Sequence, residues 1–295
     1  MEIAVSLNIK SSTNLEEFLF YEKQNVQLSF FKEWYGLDHF EINERLLENN
    51  IHVSSIHLPR TDIYEEDFIN ILEKAKEFYG TSIFTLHAGN TTRENAMNHL
   101  KRKNSQLNDL GAILCYENFK KQRKTWVNTP QEISELPFDN VFMTYDLSHT
   151  HDCYDCLEDL DKYFDKIKIV HFSNRYIGRN RTPKVHLPYD IGDIPTKIFF
   201  ERLKEKGYEG QLVLEYLDQF EDDLINDSNY LKNFKEYNPD ILKYLEQSGE
   251  DLITGPGCLK NLDQYDSEVS KYLKFMNRNT NPDYLKGQDP YYPRD

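Results

Sequence analysis

Cysteine is scarce in this chain: Cys115, Cys153, Cys156 and Cys258 are the only four among 295 residues, at spacings that frame no disulfide scaffold. A reducing compartment is the expectation. Cys153 and Cys156 form a C-x-x-C, but no second pair stands at zinc-ribbon spacing and no thioredoxin-like context surrounds them, which disfavours a redox role. Long apolar runs are missing too. None approaches the ~20 residues that span a bilayer, and the opening MEIAVSLNIK lacks a basic stretch followed by an apolar one. A soluble, uncleaved, cytoplasmic protein is expected. Positive charge is in deficit, with 35 Lys and Arg against 50 Asp and Glu and a formal net of −15. That balance disfavours nonspecific adhesion to nucleic acid or anionic membrane and still allows a local basic patch. There is no G-x-x-x-x-G-K-S/T loop, no G-x-G-x-x-G after a strand and no G-x-S-x-G elbow. Nucleoside triphosphate hydrolysis and nicotinamide redox chemistry are accordingly disfavoured.

What is present is alternation. Short apolar, β-branched segments trade places with longer amphipathic ones from the first residue to about Tyr216, the pattern of parallel strands joined by crossover helices. The strand candidates are 3–9, 26–31, 53–57, 83–87, 113–117, 141–146, 167–171 and 212–215. Eight such units predict an α/β fold closed into a (β/α)8 TIM barrel, an architecture that commonly uses ~250 residues as one domain. Within 65–79, Phe68, Ile71, Leu72, Ala75 and Phe78 share one face at helical periodicity, and Thr129 with Pro130 marks the cap and first turn of another helix. A helical stretch at 222–237 completes the eighth unit. The barrel domain is therefore placed at 1–248, and 249–295 forms a C-terminal extension. Its closing Asp289-Pro290-Tyr291-Tyr292-Pro293 has neither periodicity, so an irregular segment is expected, packed on the barrel or on a partner subunit of a homo-oligomer.

Six consecutive strand candidates end in a metal-competent side chain: Ile56-His57, Leu86-His87, Tyr116-Glu117, Tyr145-Asp146, Val170-His171 and Leu214-Glu215. One polar residue closing an apolar strand is unremarkable, because strands must meet water somewhere. Six drawn from His, Asp and Glu alone are not. In a barrel they converge on one mouth, where imidazoles and carboxylates together suit zinc, manganese, cobalt or ferrous iron. His149 and His186 lie just past strand ends; His151 lies near the mouth with no strand to aim it, while His39, His52 and His99 read as packed or solvated.

These residues resemble the xylose isomerase-like barrels, a superfamily that includes endonuclease IV-type apurinic-site endonucleases and many sugar or sugar-phosphate isomerases and epimerases. The resemblance spans roughly Met1 to Asp218. Its carriers are Ser55-Ile56-His57-Leu58-Pro59, Leu86-His87-Ala88-Gly89, Cys115-Tyr116-Glu117-Asn118, Asp146-Leu147-Ser148-His149, Val170-His171-Phe172-Ser173 and Leu214-Glu215. The resemblance implies one divalent metal held by Glu117, Asp146, His171 and Glu215, and a second at His57 and His87 with Glu117 bridging. In the endonucleases a third metal uses the histidine matching His149 and an Asp-x-His. Here Lys184-Val185-His186 stands at that place, and an ammonium cannot ligate a cation as a carboxylate does.

Between Phe172 and Tyr189 the chain carries Arg175, Arg179, Arg181 and Lys184 with no acidic residue. The segment is either a solvated basic loop or, with His186, a site for substrate phosphate or carboxylate, since guanidinium forks and the loop after strand seven of a barrel often bind such anions. It does not choose between a sugar phosphate and a nucleic-acid backbone. The leading expectation is a metal-dependent isomerase or epimerase of a small carbohydrate or sugar phosphate. In it a metal stabilises an enediolate, Glu117 and Glu215 exchange the proton at carbon or serve only as ligands, and His149 orients a hydroxyl. An endonuclease IV-like phosphodiesterase acting on abasic DNA is the alternative, favoured by His57, His87 and His149 and disfavoured by Lys184 and the acidic charge. A non-catalytic ligand-binding barrel is a third reading, and the uncompensated charge it would leave at the mouth argues against it.

Overall fold

The computed structural model of the protein describes residues 1–9, 17–30, 34–59, 61–119, 125–150, 155–176, 184–217 and 220–233. The extension at 249–295, the end of the expected 222–237 helix, His151, Cys153, Cys258, Arg179 and Arg181 lie outside these residues. The strands are β1 (Glu2–Ile9), β2 (Asn25–Phe30), β3 (His52–His57), β4 (Ile83–Leu86), β5 (Ile113–Glu117), β6 (Val141–Asp146), β7 (Ile167–Phe172), β8 (Asn174–Tyr176), β9 (Lys184–Leu187) and β10 (Gln211–Leu214). Eight of them form a closed barrel in the order β1-β10-β7-β6-β5-β4-β3-β2, parallel throughout. This is the expected (β/α)8 TIM barrel. β8 and β9, which fall where a basic loop was expected, pair antiparallel as a separate ribbon after β7.

The helices are α1 (Glu17–Phe20), α2 (His39–Glu48), α3 (Phe68–Tyr79), α4 (Arg93–Leu110), α5 (Pro130–Ser134), α6 (Asp155–Tyr163), α7 (Thr196–Glu205) and α8 (Glu221–Asn233). Their ends follow local chemistry. Thr129 accepts from the Glu132 N–H while Glu132 reaches back to the Thr129 N–H, a reciprocal cap on a helix whose first residue is Pro130. α3 and α4 stop at Gly80 and Gly111, both left-handed at φ 71° and 66°, a region glycine enters without a Cβ clash. α3 begins at Phe68, three residues inside the expected 65–79, because 63–67 form turns after β3. Among the described residues no helix is long and apolar enough to cross a membrane.

Strand side chains alternate between two faces, and the two faces are chemically distinct. Val26, Leu28, Phe84, Leu86, Leu114, Tyr116, Val170 and Phe172 join one continuous apolar core with helix residues such as Phe68, Leu72, Leu100 and Phe199. Ala4, Cys115, Ile169 and Val213 form a separate small cluster. They share parity with Glu117, His171 and Glu215, so the barrel interior is apolar at its floor and titratable at its mouth. Gln27, Ser55, Thr85 and Thr144 lie between, all wholly buried.

Candidate metal centre

Period-two alternation places His57, Glu117 and Asp146 at the last residues of β3, β5 and β6, with His87 and Glu215 immediately after β4 and β10 and His171 one residue before the end of β7. The barrel gathers them. Glu117 sits in the middle: Oε2 lies 3.1 Å from His57 Nε2, 3.0 Å from His87 Nε2 and 3.8 Å from His171 Nδ1, and Oε1 lies 3.0 Å from His149 Nδ1. Glu215 Oε2 is 2.8 Å from His171 Nδ1 and 3.8 Å from His186 Nδ1, and Asp146 Oδ2 is 3.3 Å from His149 Nδ1. Among the described residues, three groups offer ligand atoms all within 4.8 Å of one another: His57, His87 and Glu117; Glu117, Asp146 and His171; Asp146, His149 and His186.

The donor set fits a divalent cation. Asp146 Oδ2, His171 Nδ1, His186 Nδ1 and Glu215 Oε2 are buried and make no aligned hydrogen bond, although each lies close to another of the cluster. Polar atoms withdrawn from water without a hydrogen bond are costly unless a cation lies between them. His57 makes the same argument. Its Nδ1 faces the Leu58 carbonyl, which can only accept, so the proton belongs there and the Nε2 lone pair faces a carboxylate oxygen.

Protons occupy this space when no metal does. Burial disfavours the charged form of His149, but Asp146 and Glu117 beside it prevail and raise its pKa to about 9. His171 is likewise penalised by burial and raised to about 9, chiefly by Glu215 and then by Glu117 and Asp146. For Glu117 burial pushes upward, and His87, His149 and His57 together hold it well below the usual carboxylate range. Glu215 is pulled down in the same way by His171 and His186.

Buried side chains fix the candidate ligands. The Asn118 amide bonds to both the N–H and the carbonyl of Asp146, and the Ser148 N–H donates to Asp146 Oδ1 at 2.6 Å, leaving Oδ2 for the cluster. The His171 ring bonds through Nε2 to Gln27 on β2 at 2.9 Å. Asp62 accepts from the N–H groups of Ile63 and Gly89, from Trp126 Nε1 and from the Tyr116 hydroxyl, tying the turns after β3 and β4 to β5. Phe119 packs its ring 4.7 Å from His87 and 4.6 Å from His149. None of these roles was read from the sequence. A polar Gln27 inside the strand Val26-Gln27-Leu28 was a visible signal; Asp62 had none.

Of the sequence-derived candidates, His57, His87, Glu117, Asp146, His149, His171, His186 and Glu215 come together. His186 does so from a left-handed backbone, φ 55°, uncommon for a non-glycine residue, with its carbonyl accepting from the Leu217 N–H. Lys184 begins β9, and Asp146 supplies the carboxylate beside His149 and His186. Arg175 is wholly buried rather than open to solvent. His39 packs among Trp34, Phe78 and Tyr79, as a helix histidine was expected to.

A closed parallel barrel with imidazoles and carboxylates converging at the C-terminal ends of its strands defines a class of (β/α)8 proteins with a candidate metal site at the mouth. The chain belongs to the xylose isomerase-like TIM barrel family, whose profile matches residues 16–234. No curated protein matches it in sequence. Solved structures share its fold. A 3-keto-D-glucoside 4-epimerase from E. coli is 17% identical, over 79% of this chain and 99% of that chain, with a TM-score of 0.57. Endonuclease IV from Thermus thermophilus is 16% identical, over 79% and 99%, with a TM-score of 0.55. A xylose isomerase-like TIM barrel protein from Mycobacterium smegmatis, in complex with magnesium, is 14% identical, over 77% and 94%, with a TM-score of 0.60. At these identities the likeness establishes the fold and not the reaction.

Proposed function

We propose that this protein is a metal-dependent isomerase or epimerase that moves a proton at a carbon of a small sugar or sugar phosphate. The observation that carries the reading is the placement of two carboxylates about one imidazole, with Glu215 Oε2 2.8 Å and Glu117 Oε2 3.8 Å from His171 Nδ1. They arrive from β10 and β5, three steps apart around the barrel. A substrate carbon held between them has a carboxylate on either side. One takes the proton as general base; its return to the opposite face of the same carbon from the other gives an epimer, and its return to the adjacent carbon, with a hydroxyl proton moving between the two neighbouring oxygens, gives an isomer. His149, 3.0 Å from Glu117 Oε1, is placed to orient a substrate hydroxyl. A divalent ion of manganese, zinc, cobalt or iron, held by Glu117, Asp146, His171 and Glu215, would supply Lewis-acid polarisation of neighbouring substrate oxygens. His57 and His87 are assigned to a second ion. Contact with a substrate anion is assigned to the basic run Arg175, Arg179, Arg181 and Lys184, together with His186. The sugar epimerases among the structural relatives support this choice.

A second reading is an apurinic-endonuclease-type phosphodiesterase. It is favoured by the three overlapping ligand groups, with Glu117 and Asp146 each shared between two of them, an arrangement suited to neighbouring ions that stabilise both attacking and leaving oxygens. The two readings part on one experiment. Proton transfer at carbon predicts metal-dependent exchange of solvent deuterium into a sugar or sugar phosphate, lowered by roughly 100- to 10,000-fold in Glu117→Gln or Glu215→Gln. Efficient nicking of an abasic duplex, with no exchange across a broad sugar panel, would reverse the order.

A further inference from the structure

The far side of the His171 ring opens onto a hydrogen-bond chain that crosses the barrel interior. His171 Nε2 lies 2.9 Å from Gln27 Oε1, and Gln27 Nε2 donates to Thr85 Oγ1 at 3.1 Å and to Ser55 Oγ at 3.2 Å. Thr85 Oγ1 lies 2.8 Å from Thr144 Oγ1, and Thr144 Oγ1 donates to the Cys115 carbonyl at 3.4 Å. Gln27, Ser55, Thr85, Thr144 and His171 are all wholly buried.

The direction of this chain follows from proton counting. A backbone carbonyl can only accept, and a hydroxyl carries a single proton. Where Thr144 gives its proton to the Cys115 carbonyl, it accepts from Thr85, whose own proton is then committed. Thr85 is left as an acceptor toward Gln27, so the amide nitrogen of Gln27 must face it and the amide oxygen must face His171. That oxygen accepts, which fixes the proton of the neutral His171 ring on Nε2 and leaves the lone pair on Nδ1, the nitrogen 2.8 Å from Glu215 Oε2.

We propose that Gln27 is a positioning residue for the metal centre, and that the Cys115 carbonyl, acting through Thr144, Thr85 and Gln27, selects the His171 tautomer that ligates through Nδ1. Ligating histidines are commonly held by a partner at the other ring nitrogen, and removal of that partner weakens metal binding by about 10- to 100-fold. Here the partner is itself held by a relay ending on the backbone of β5, the strand that carries Glu117. Two ligands of one centre are thereby oriented from the same strand.

The inference rests on the metal-centre reading, and the test separates the two. Zinc affinity of the full-length protein is measured by chelator competition, and ring-nitrogen NMR of the zinc-loaded, histidine-labelled protein reports which nitrogen of His171 carries hydrogen. Nε2–H with Nδ1 bound to zinc is expected in the wild type, a measurement that needs no variant. Gln27→Met is expected to weaken zinc about 10- to 100-fold and to disturb the His171 signals. Thr85→Val should act in the same direction with a smaller loss, and Thr85→Ser, which keeps the hydroxyl, should restore wild-type behaviour. Ligation through Nε2, or a folded Gln27→Met protein with wild-type affinity and unchanged His171 signals, overturns the relay and leaves the centre standing. A wild-type protein that takes up no zinc overturns both.

Discussion

The two faces of each barrel strand follow different rules. Along β5, Leu114 and Tyr116 turn into the large apolar layer beneath the helices, while Cys115 and Glu117 share the inner face. The outer layer is built from bulky side chains, Phe84, Tyr116, Tyr145 and Phe172 among them, all wholly buried. The inner face carries small apolar residues, then hydroxyls and an amide, then titratable groups. Neighbouring residues one peptide apart therefore hold separate tasks: the outer supplies burial energy, and the inner supplies a polar cavity that detracts from stability when no cation neutralises it.

The sharpest way to break that division is at Glu117, which like Asp146 belongs to two ligand groups. Glu117→Gln should lower metal-dependent carbon exchange by roughly 100- to 10,000-fold and sharply reduce metal occupancy, measured by elemental analysis, while leaving the circular dichroism spectrum intact. Full occupancy would remove Glu117 from the centre. On the outer face, Phe84→Ala should destabilise the protein by roughly 3–5 kcal/mol in urea titrations yet leave metal stoichiometry of the folded fraction unchanged. Loss of metal from folded Phe84→Ala protein would show the faces to be coupled.

A pH series sharpens the comparison further. His149 and His171 have folded-state pKa values raised to about 9 from an ordinary 6.5. In chelator-treated protein the stability they contribute is complete below about 6.5 and is lost as pH rises through 9, because the folded state then gives up protons it bound more tightly than the unfolded state did. The melting temperature of the metal-free protein should fall across that window. Saturating metal, which takes the place of those protons, should flatten or reverse the trend. A metal-free melting temperature independent of pH between 6.5 and 9 would contradict the electrostatic account of the mouth. The smallest expected effect lies far from either face: Thr129→Ala removes the cap of α5 and should cost about 1 kcal/mol, with no change in metal content.

The fold was legible because its signals are periodic. All eight barrel strands lie where the apolar runs placed them, with bounds displaced by at most one residue, as at His87, His171 and Glu215, and the cap at Thr129 with Pro130 was readable from residue type alone. The ligand candidates were legible for a related reason: His57, Glu117 and Asp146 close strands, so strand register and chemistry coincide. Gln27, Asp62 and Asn118 were not assigned roles, because each acts through partners 27 to 144 residues away, and no local pattern encodes such pairings. The β8–β9 ribbon escaped notice because three- and four-residue strands are too short to show a period.

The seam of the barrel has a consequence on the ribosome. β1 is hydrogen-bonded on one side to β10, from Glu2 opposite Gln211 to Val5 opposite Leu214, and the closing helix is anchored to the first strands by Lys232 Nζ donating to Gln24 Oε1 at 2.6 Å. At a synthesis rate of about 5–20 residues per second, β1 waits on the order of 10–40 s for that partner. Throughout that interval one row of its N–H and carbonyl groups is an open template for any other extended chain. Nascent chains that stall before residue 211 keep the open edge permanently, and polysomes, which hold many such chains side by side, are where this protein is most exposed to mispairing with its own copies.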